Sequence, residues 1–445
     1  MLKLNSTVKK FAKNASWLIF GKLYRVALVT FTTIYLSRYL GPEDFGLLNY
    51  ALSIAILFSF IIGLGLETII VNEVHKEERR SGEILSSSIM LRLIGWLFFI
   101  SIISAVCFVL RPGDIEFFKL MMILSVGYLF KTFEVFRFFF ESKALGRLIS
   151  LAEVAAISVS CFMKFYFIHL QLDVEYFFYI AVLDIVLLSI FLSFSYHKYI
   201  VNMRENDFYS LKPTCKKMSK LISLSWPLIF ASGLYLIYSK IDQVMLGELS
   251  GMHSVGVYAA AVKLSEGSSF IFTTLAVALF PLMLKEKKVS EERFILQTKK
   301  LLSLLVTLSV FLAIIISYSS TFITDLIFGE QYEGVDTVLT LHVWGAVFIA
   351  INAINSKYLV TQGLQKHSVF KNVIGIFVNV GLNFVLIPRY GVNGAAFATV
   401  VSHFFSTYIY FGLCKETRKL FLMQTQAILL LWVPGFIKTQ VLSRF

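Results

Sequence analysis

Lys22 and Arg25 stand three residues apart, on one face of a helix, inside the first long apolar run of the chain. At 1.5 Å per residue they lie about 8 and 12 Å beyond Trp17. Charge in apolar surroundings is costly unless it is paired or bound to a ligand, and no acid occurs within four residues of either. A desolvated anion is therefore a more attractive partner for them than an acid from another helix. Fixed charge recurs in the second half of the chain, as Lys240 with Asp242 and, in the next apolar run, Lys263 with Glu266. Lys263 and Glu266 also fit as an intrahelical pair. Lys131, Glu134, Arg137 and Glu141 alternate in sign at helical spacing and read as a self-neutralising stripe. Glu67 and Asp184 are isolated acids. With Glu266 they are the candidates for relaying a coupling proton or cation, or for pairing with the basic cluster. Arg92, Glu153 and Lys357 fall near the ends of apolar runs, where snorkelling accounts for them. His342 and His403 each read as a lone histidine hydrogen-bonded among packing residues.

The apolar runs are the elements that must position these groups. Of 445 residues 57% are hydrophobic and only 16% charged, with a mean hydropathy of +0.75. Soluble domains carry roughly a quarter charged residues, and a soluble fold could not hide this much apolar surface. Runs of 20 or more apolar residues recur along the chain, the length a helix needs to cross a hydrocarbon core of roughly 30 Å. The expected spans are 17–40, 47–73, 87–110, 117–140, 148–169 and 176–197, then 220–246, 256–284, 301–322, 337–362, 368–387 and 394–414. Twelve crossings put both termini on one side of the membrane. The loops on that side, with the two tails, hold 26 Lys and Arg, whereas the opposite loops hold only Arg111 and Arg389 and carry eleven acids. An excess of Lys and Arg marks cytoplasmic loops, so both termini are expected to be cytoplasmic. The net charge of +13 follows from the same bias and gives no reason to expect a nucleic-acid partner.

The halves of the chain echo one another. Ser16-Trp17-Leu18-Ile19-Phe20 returns as Ser225-Trp226-Pro227-Leu228-Ile229-Phe230. Leu40-Gly41 is matched to Leu246-Gly247, and Gly46 with Tyr50-Ala51 to Gly256 with Tyr258-Ala259. Two six-helix lobes of like orientation follow, residues 1–213 and 214–419, with a central site between them as in one class of secondary transporter. Residues 420–436 are apolar but short, interrupted by Gln424 and Gln426 and broken at Pro434 and Gly435. The terminal segment 420–445 is therefore expected to be interfacial or re-entrant.

The chain opens MLKLNSTVKKFAKNASW and enters its first apolar run without a small-residue cleavage site, so the first helix is expected to stay as an anchor. Cys107, Cys161, Cys215 and Cys414 are far apart and suggest neither a disulfide framework nor a metal site. No cofactor is expected. No P-loop is present, so energy must come from an ion gradient, the membrane potential or consumption of the product. The acidic-side loops are too short for a catalytic domain, the longest being 323–336, and an enzyme is not expected.

Three stretches carry a family resemblance: SRYLGPEDFGLLNYALSI, YSKIDQVMLGELSGMHSVGVYAAAVKLSE and NFVLIPRYGVNGAAFATVVS. Together and in this order they resemble the Wzx-type polysaccharide flippases of the multidrug/oligosaccharidyl-lipid/polysaccharide exporter superfamily, from Trp17 to about Cys414. The resemblance implies an all-α polytopic membrane protein of the MATE/MurJ-like kind. It also implies export of an undecaprenyl-diphosphate-linked oligosaccharide across a bacterial cytoplasmic membrane by alternating access, for O-antigen, capsule or a related polymer. A polysaccharide polymerase and chain-length machinery would be its partners. The cationic cavity of that family is matched here by Lys22, Arg25, Lys240, Asp242 and Lys263. A cation-coupled drug antiporter of the same superfamily is the main rival, and it would favour acids over bases in the cavity. A membrane polymerase or ligase would need a larger outer loop, and a passive scaffold would leave the buried charges without purpose.

Overall fold

The computed structural model describes residues 2–203 and 212–430, with side chains over 16–201 and 212–429. Every regular element among them is helical, as hydrocarbon demands of a chain that must satisfy each peptide group internally. Eight helices are long and apolar enough to cross a membrane. Three of them contain a break that separates two expected crossings: Gly41 (φ 71°, ψ 172°) within Leu2–Phe58, Gly251 (φ 83°, ψ 173°) within Cys215–Val289, and Gly391 (φ 52°, ψ −130°) within Lys366–Phe404. The expected span 117–140 is formed by Ile115–Gly127 and Val135–Ser142, joined through the 3-10 segment Tyr128–Glu134. Each of the twelve spans read from the sequence thus has a helical counterpart.

The chain divides into two compact units, Met1–Leu40 with Leu47–Lys240, and Gly41–Gly46 with Ile241–Phe445. The helix that opens the second half of the chain is counted with the first unit as far as Lys240. Its early turns explain why. Leu221 is fully buried in a core with Leu66, Ile70 and Val74, and with the aromatic run Phe136 to Phe140 packed on Tyr196. Above that core Lys217 Nζ lies 2.8 Å from Glu77 Oε2, and Lys220 Nζ lies 2.5 Å from Glu73 Oε2 and 3.1 Å from Glu77 Oε1. The two ammonium groups hold the Glu77 carboxyl down to about 2.

In the same unit the helix after Leu47 is broken. Phe60–Gly63 ends at Leu64 (φ 50°, ψ 23°), and Leu66–Lys76 begins after Gly65 (φ 59°, ψ 17°). Two successive left-handed residues turn the chain out of the α-helical path and free carbonyls of the preceding turn. A Cβ on Gly95 of the neighbouring helix would meet the Ile61 carbonyl oxygen at 2.3 Å, so the break is tightly seated.

The second unit packs Phe272, Phe294, Leu302, Ile351, Tyr358 and Phe411 into one core. The helix Arg418–Leu430 joins it through Leu420, Met423 and Ala427. Its described part is about 20 Å long at 1.5 Å per residue. Gln424, which interrupts the apolar run in sequence, is fully buried, and its Nε2 donates to Asn355 Oδ1 at 2.9 Å. Asn355 Nδ2 in turn donates to the Thr407 carbonyl at 3.1 Å, inside the π-helical turn Phe405–Ile409 where a ladder bond is displaced. The rest of the 420–436 segment, from residue 431, lies outside the described residues. At the loop end His367 and Lys366 hydrogen-bond Glu416 and hold its carboxyl below the ordinary carboxylate range.

The repeat takes physical form inside this unit. Gly41 and Gly251 share one backbone conformation, and each precedes by five residues a glycine that admits the other's segment. A Cβ on Gly46 would stand 1.9 Å from the Met252 carbonyl oxygen, and one on Gly256 would stand 1.9 Å from the Pro42 carbonyl oxygen. Gly41 therefore corresponds to Gly251, not to Gly247.

Two tests follow from this packing. Gly46→Ala or Gly256→Ala should lower the stability of the detergent-purified protein by at least about 2 kcal/mol, because backbone must move. Gly381→Ala meets nothing within 4 Å and should be neutral or slightly stabilising in the same thermal melts. The Glu77 clamp contributes stability that is present above the ordinary carboxylate value of 4.5 and lost as pH falls towards about 2. The stability gap between wild type and Glu77→Gln should be constant above that value and close on acidification.

Candidate functional site

Within the first unit one open-sided cavity of about 130 Å³ is walled by four elements. Arg25 comes from Leu2–Phe58, and Lys131 and Glu134 come from the 3-10 segment. Glu153, Ala156 and Ile157 come from Gly146–His169, and Asp184, Ile185 and Leu188 from Val174–Met203. The 3-10 turn matters to the cavity wall, because at three residues per turn Lys131 and Glu134 share one face.

Each acid on the wall is already neutralised. Glu134 Oε2 lies 3.5 Å from Arg92 Nη2, Glu153 Oε1 lies 2.9 Å from Arg137 Nη1, and Asp184 Oδ2 lies 3.4 Å from Lys164 Nζ. The two cations on the wall are not. Neither Arg25 nor Lys131 has an acidic oxygen within 4 Å among the described residues, and Lys131 Nζ instead stands 4.9 Å from the centroid of the Tyr128 ring. A wall whose acids are paired and whose two cations lie outside ion-pair distance of any acid among the described residues favours an anion.

The charges expected to be bland are the ones that build this wall. Arg92 does not snorkel, since its side chain is 3% exposed. Its Nε donates to the Ile62 carbonyl at 3.2 Å, a group in the broken turn, and its guanidinium stands 5.8 Å from the Phe138 ring centroid. Nη1 has no hydrogen-bond partner. Glu153 is likewise drawn inward to Arg137. In the fourth-helix stripe only Arg137 and Glu141 pair along the helix, at 3.0 Å, because the 3-10 turn points Glu134 at Arg92. The sequence placed Arg92 and Glu153 near the ends of apolar runs, where snorkelling was expected, and did not show which helix would answer each charge.

Of the residues singled out by sequence, Arg25 and Asp184 line the cavity, and Asp184 is an ion-paired acid instead of an isolated one. Lys22 is exposed on the same helix as Arg25, one turn away. Glu67 is exposed, with its charge felt by Arg92 and Lys131. Lys240 is half-buried in the first unit. Asp242, Lys263 and Glu266 belong to the second unit. There Asp242 is buried and accepts from Asn383 Nδ2 at 2.7 Å, Thr399 Oγ1 at 2.5 Å and Tyr258 Oη at 3.0 Å. Lys263 is half-buried and Glu266 exposed. No cluster of three or more His, Cys, Asp or Glu able to hold a metal occurs among the described residues.

Helices throughout, broken at glycines and enclosing charge at depth, define a multi-pass membrane protein of the exporter superfamily suggested by the sequence. Solved structures share the fold. The lipid II flippase MurJ in an inward closed conformation matches with a TM-score of 0.67 at 15% identity, over 96% of this chain and 93% of that one. An inward-facing multidrug resistance MATE family transporter of the MOP superfamily matches with a TM-score of 0.64 at 15% identity, over 93% and 96%. The chain belongs to the polysaccharide biosynthesis protein family, whose model matches residues 11–287. A MatE model matches residues 227–385. The capsular polysaccharide biosynthesis protein CapF of Staphylococcus aureus is 22% identical over 400 residues, 88% of this chain and 96% of that protein. The probable low-salt glycan biosynthesis flippase Agl15 of Haloferax volcanii is 23% identical over 204 residues, 45% and 42%. Together these make the chain a flippase-like polysaccharide biosynthesis member of that superfamily.

Removing one partner from a buried ion pair leaves the other uncompensated. Arg92→Met should destabilise the protein by about 3 kcal/mol, and Arg92→Met with Glu134→Gln by less than the sum of the two single changes. A double-mutant cycle of thermal melts measures the difference.

Proposed function

We propose that the protein carries an undecaprenyl-diphosphate-linked oligosaccharide from the cytoplasmic to the outer leaflet of a bacterial cytoplasmic membrane, by alternating access, for capsule or O-antigen-type polymer synthesis. The observation that carries this reading is the wall charge of the first unit's cavity: Glu134, Glu153 and Asp184 each have a cation of their own, and Arg25 and Lys131 have none within ion-pair distance. A diphosphate leaving the headgroup layer loses water and needs replacement charge. Arg25 offers a planar fork that can hold two phosphate oxygens, and Lys131 a compact ammonium. Lys22, a turn from Arg25, extends the positive face toward the basic loops, which face the cytoplasm in this orientation. The lipid tail stays in the bilayer. A drug antiporter would present unpaired acids to an organic cation, and the acids of this cavity are all engaged.

Nothing in this reading requires a covalent step. The protein lowers the cost of moving a charged headgroup through hydrocarbon, and Arg92, Arg137 and Lys164 keep the wall acids from repelling it.

Arg25→Ala and Lys131→Met should each reduce surface polysaccharide in a strain lacking the gene by at least about tenfold, the equivalent of about 1.4 kcal/mol of lost anion stabilisation. Membrane levels of the protein should hold. Arg25→Lys should recover part of the loss, since it restores charge without the fork. Normal display with both Arg25→Ala and Lys131→Met overturns the reading.

A further inference from the structure

The wall segment Tyr128–Glu134 is a 3-10 helix of seven residues set between the α-helices Ile115–Gly127 and Val135–Ser142. Runs of this geometry longer than about three or four residues are uncommon, because its hydrogen bonds are poorer than those of an α-helix. A run of this length inside an apolar span needs support from outside its own backbone. Three neighbours supply it. The Ser189 hydroxyl, buried on the helix Val174–Met203, donates to the Phe130 carbonyl at 2.7 Å. The Tyr128 ring stacks on Phe99, with 5.2 Å between centroids and an interplanar angle of 12°. At the far end Arg92 holds Glu134. The entry is seated as well, since a Cβ on Gly127 would meet the Val182 methyl carbons at 2.5 and 2.6 Å. Val182 lies two turns before Ser189, so one face of that helix grips both the entry and the third residue of the segment.

The register decides what Lys131 faces. At about 120° per residue Lys131 and Glu134 project in one direction, whereas at the α-helical 100° they would diverge by about 60°. Glu134 is fixed by Arg92, so relaxation to α-helix would turn Lys131 off the wall. The Phe130 carbonyl belongs to the peptide unit that leads into Lys131, and Ser189 is the support that holds this unit. A side-chain donor inserted at a carbonyl is one of the causes by which an α-helical ladder breaks. The Thr132 hydroxyl adds a second such bond, to the Leu129 carbonyl at 2.8 Å.

We propose that Ser189 is a positioning residue of the anion site: by holding the Phe130 carbonyl it keeps the segment in 3-10 register, and that register keeps the Lys131 ammonium on the cavity wall. Ser189 itself meets backbone, not cargo. What Lys131 binds there rests on the flippase reading, whereas the placement of Lys131 does not.

The placement can be read without cargo. Full-length protein with its four native cysteines replaced by alanine and carrying Lys131→Cys is placed in lipid nanodiscs, and its rate of modification by a charged, water-soluble methanethiosulfonate is measured. Ser189→Ala should slow that rate at least about fivefold, the weight of one hydrogen bond. Ser193→Ala removes a hydroxyl one turn further on, which donates to the Ser189 carbonyl and not to the segment, and should leave the rate unchanged. An unchanged rate in Ser189→Ala, or an equal fall in Ser193→Ala, overturns the proposal. In a second arm, with the native cysteines in place, Ser189→Ala should weaken binding of undecaprenyl diphosphate at least about fivefold, yet add nothing to the loss in Lys131→Met, because the two changes act through one group. Additive losses mark a general packing defect and overturn the proposal. Modification rates that fall as described, with lipid diphosphate binding indifferent to Lys131→Met, uphold the placement of Lys131 and overturn the flippase reading.

Discussion

The cost of an uncompensated charge in an apolar medium governs this molecule. Hydrocarbon forces each peptide group to be satisfied within its own helix, and it forces each charged side chain at depth to find a partner, a carbonyl or a ligand. The first unit shows the first two solutions in one cavity wall and the layer behind it. Arg137 and Lys164 answer acids on neighbouring helices, Arg92 answers both an acid and the Ile62 carbonyl beside a broken turn, and Arg25 and Lys131 have no acidic oxygen within 4 Å among the described residues. The second unit solves the same problem for Asp242 with the neutral donors Tyr258, Asn383 and Thr399.

Departures from regular helix serve that constraint. The left-handed pair Leu64 and Gly65 gives Arg92 a carbonyl to hold, and the 3-10 turn Tyr128–Glu134 gives the cavity two charges on one face. The π-helical turn Phe405–Ile409 lets Asn355 and Gln424 anchor the last described helix in the core. Glycines do related work through space. Gly46 and Gly256 admit backbone where any side chain would collide, and this fixes how the turns after Gly41 and Gly251 lie against each other inside the second unit.

The fold is shared with a lipid II flippase and with multidrug transporters at about the same similarity, so it does not by itself select a cargo. The cavity wall adds a sign to that fold: its half-buried acids each lie beside a cation, whereas Arg25 and Lys131 have no acidic oxygen within 4 Å among the described residues. On the proposed reading, that sign selects a phosphate over an organic cation.

The sequence by itself determined the helical crossings, since a run such as 301–322 is apolar over a bilayer's thickness whatever it packs against. It also determined the lopsided distribution of Lys and Arg, and the depth of Arg25 in the first run. Hydrophobic periodicity is local, and so is the cost of burying a charge. Partner choice is not local. That Glu134 would turn from its own stripe to Arg92, that Asp184 would meet Lys164, and that Lys131 would be left facing the cavity depended on a 3-10 turn and a broken helix whose energies are settled by neighbours far along the chain.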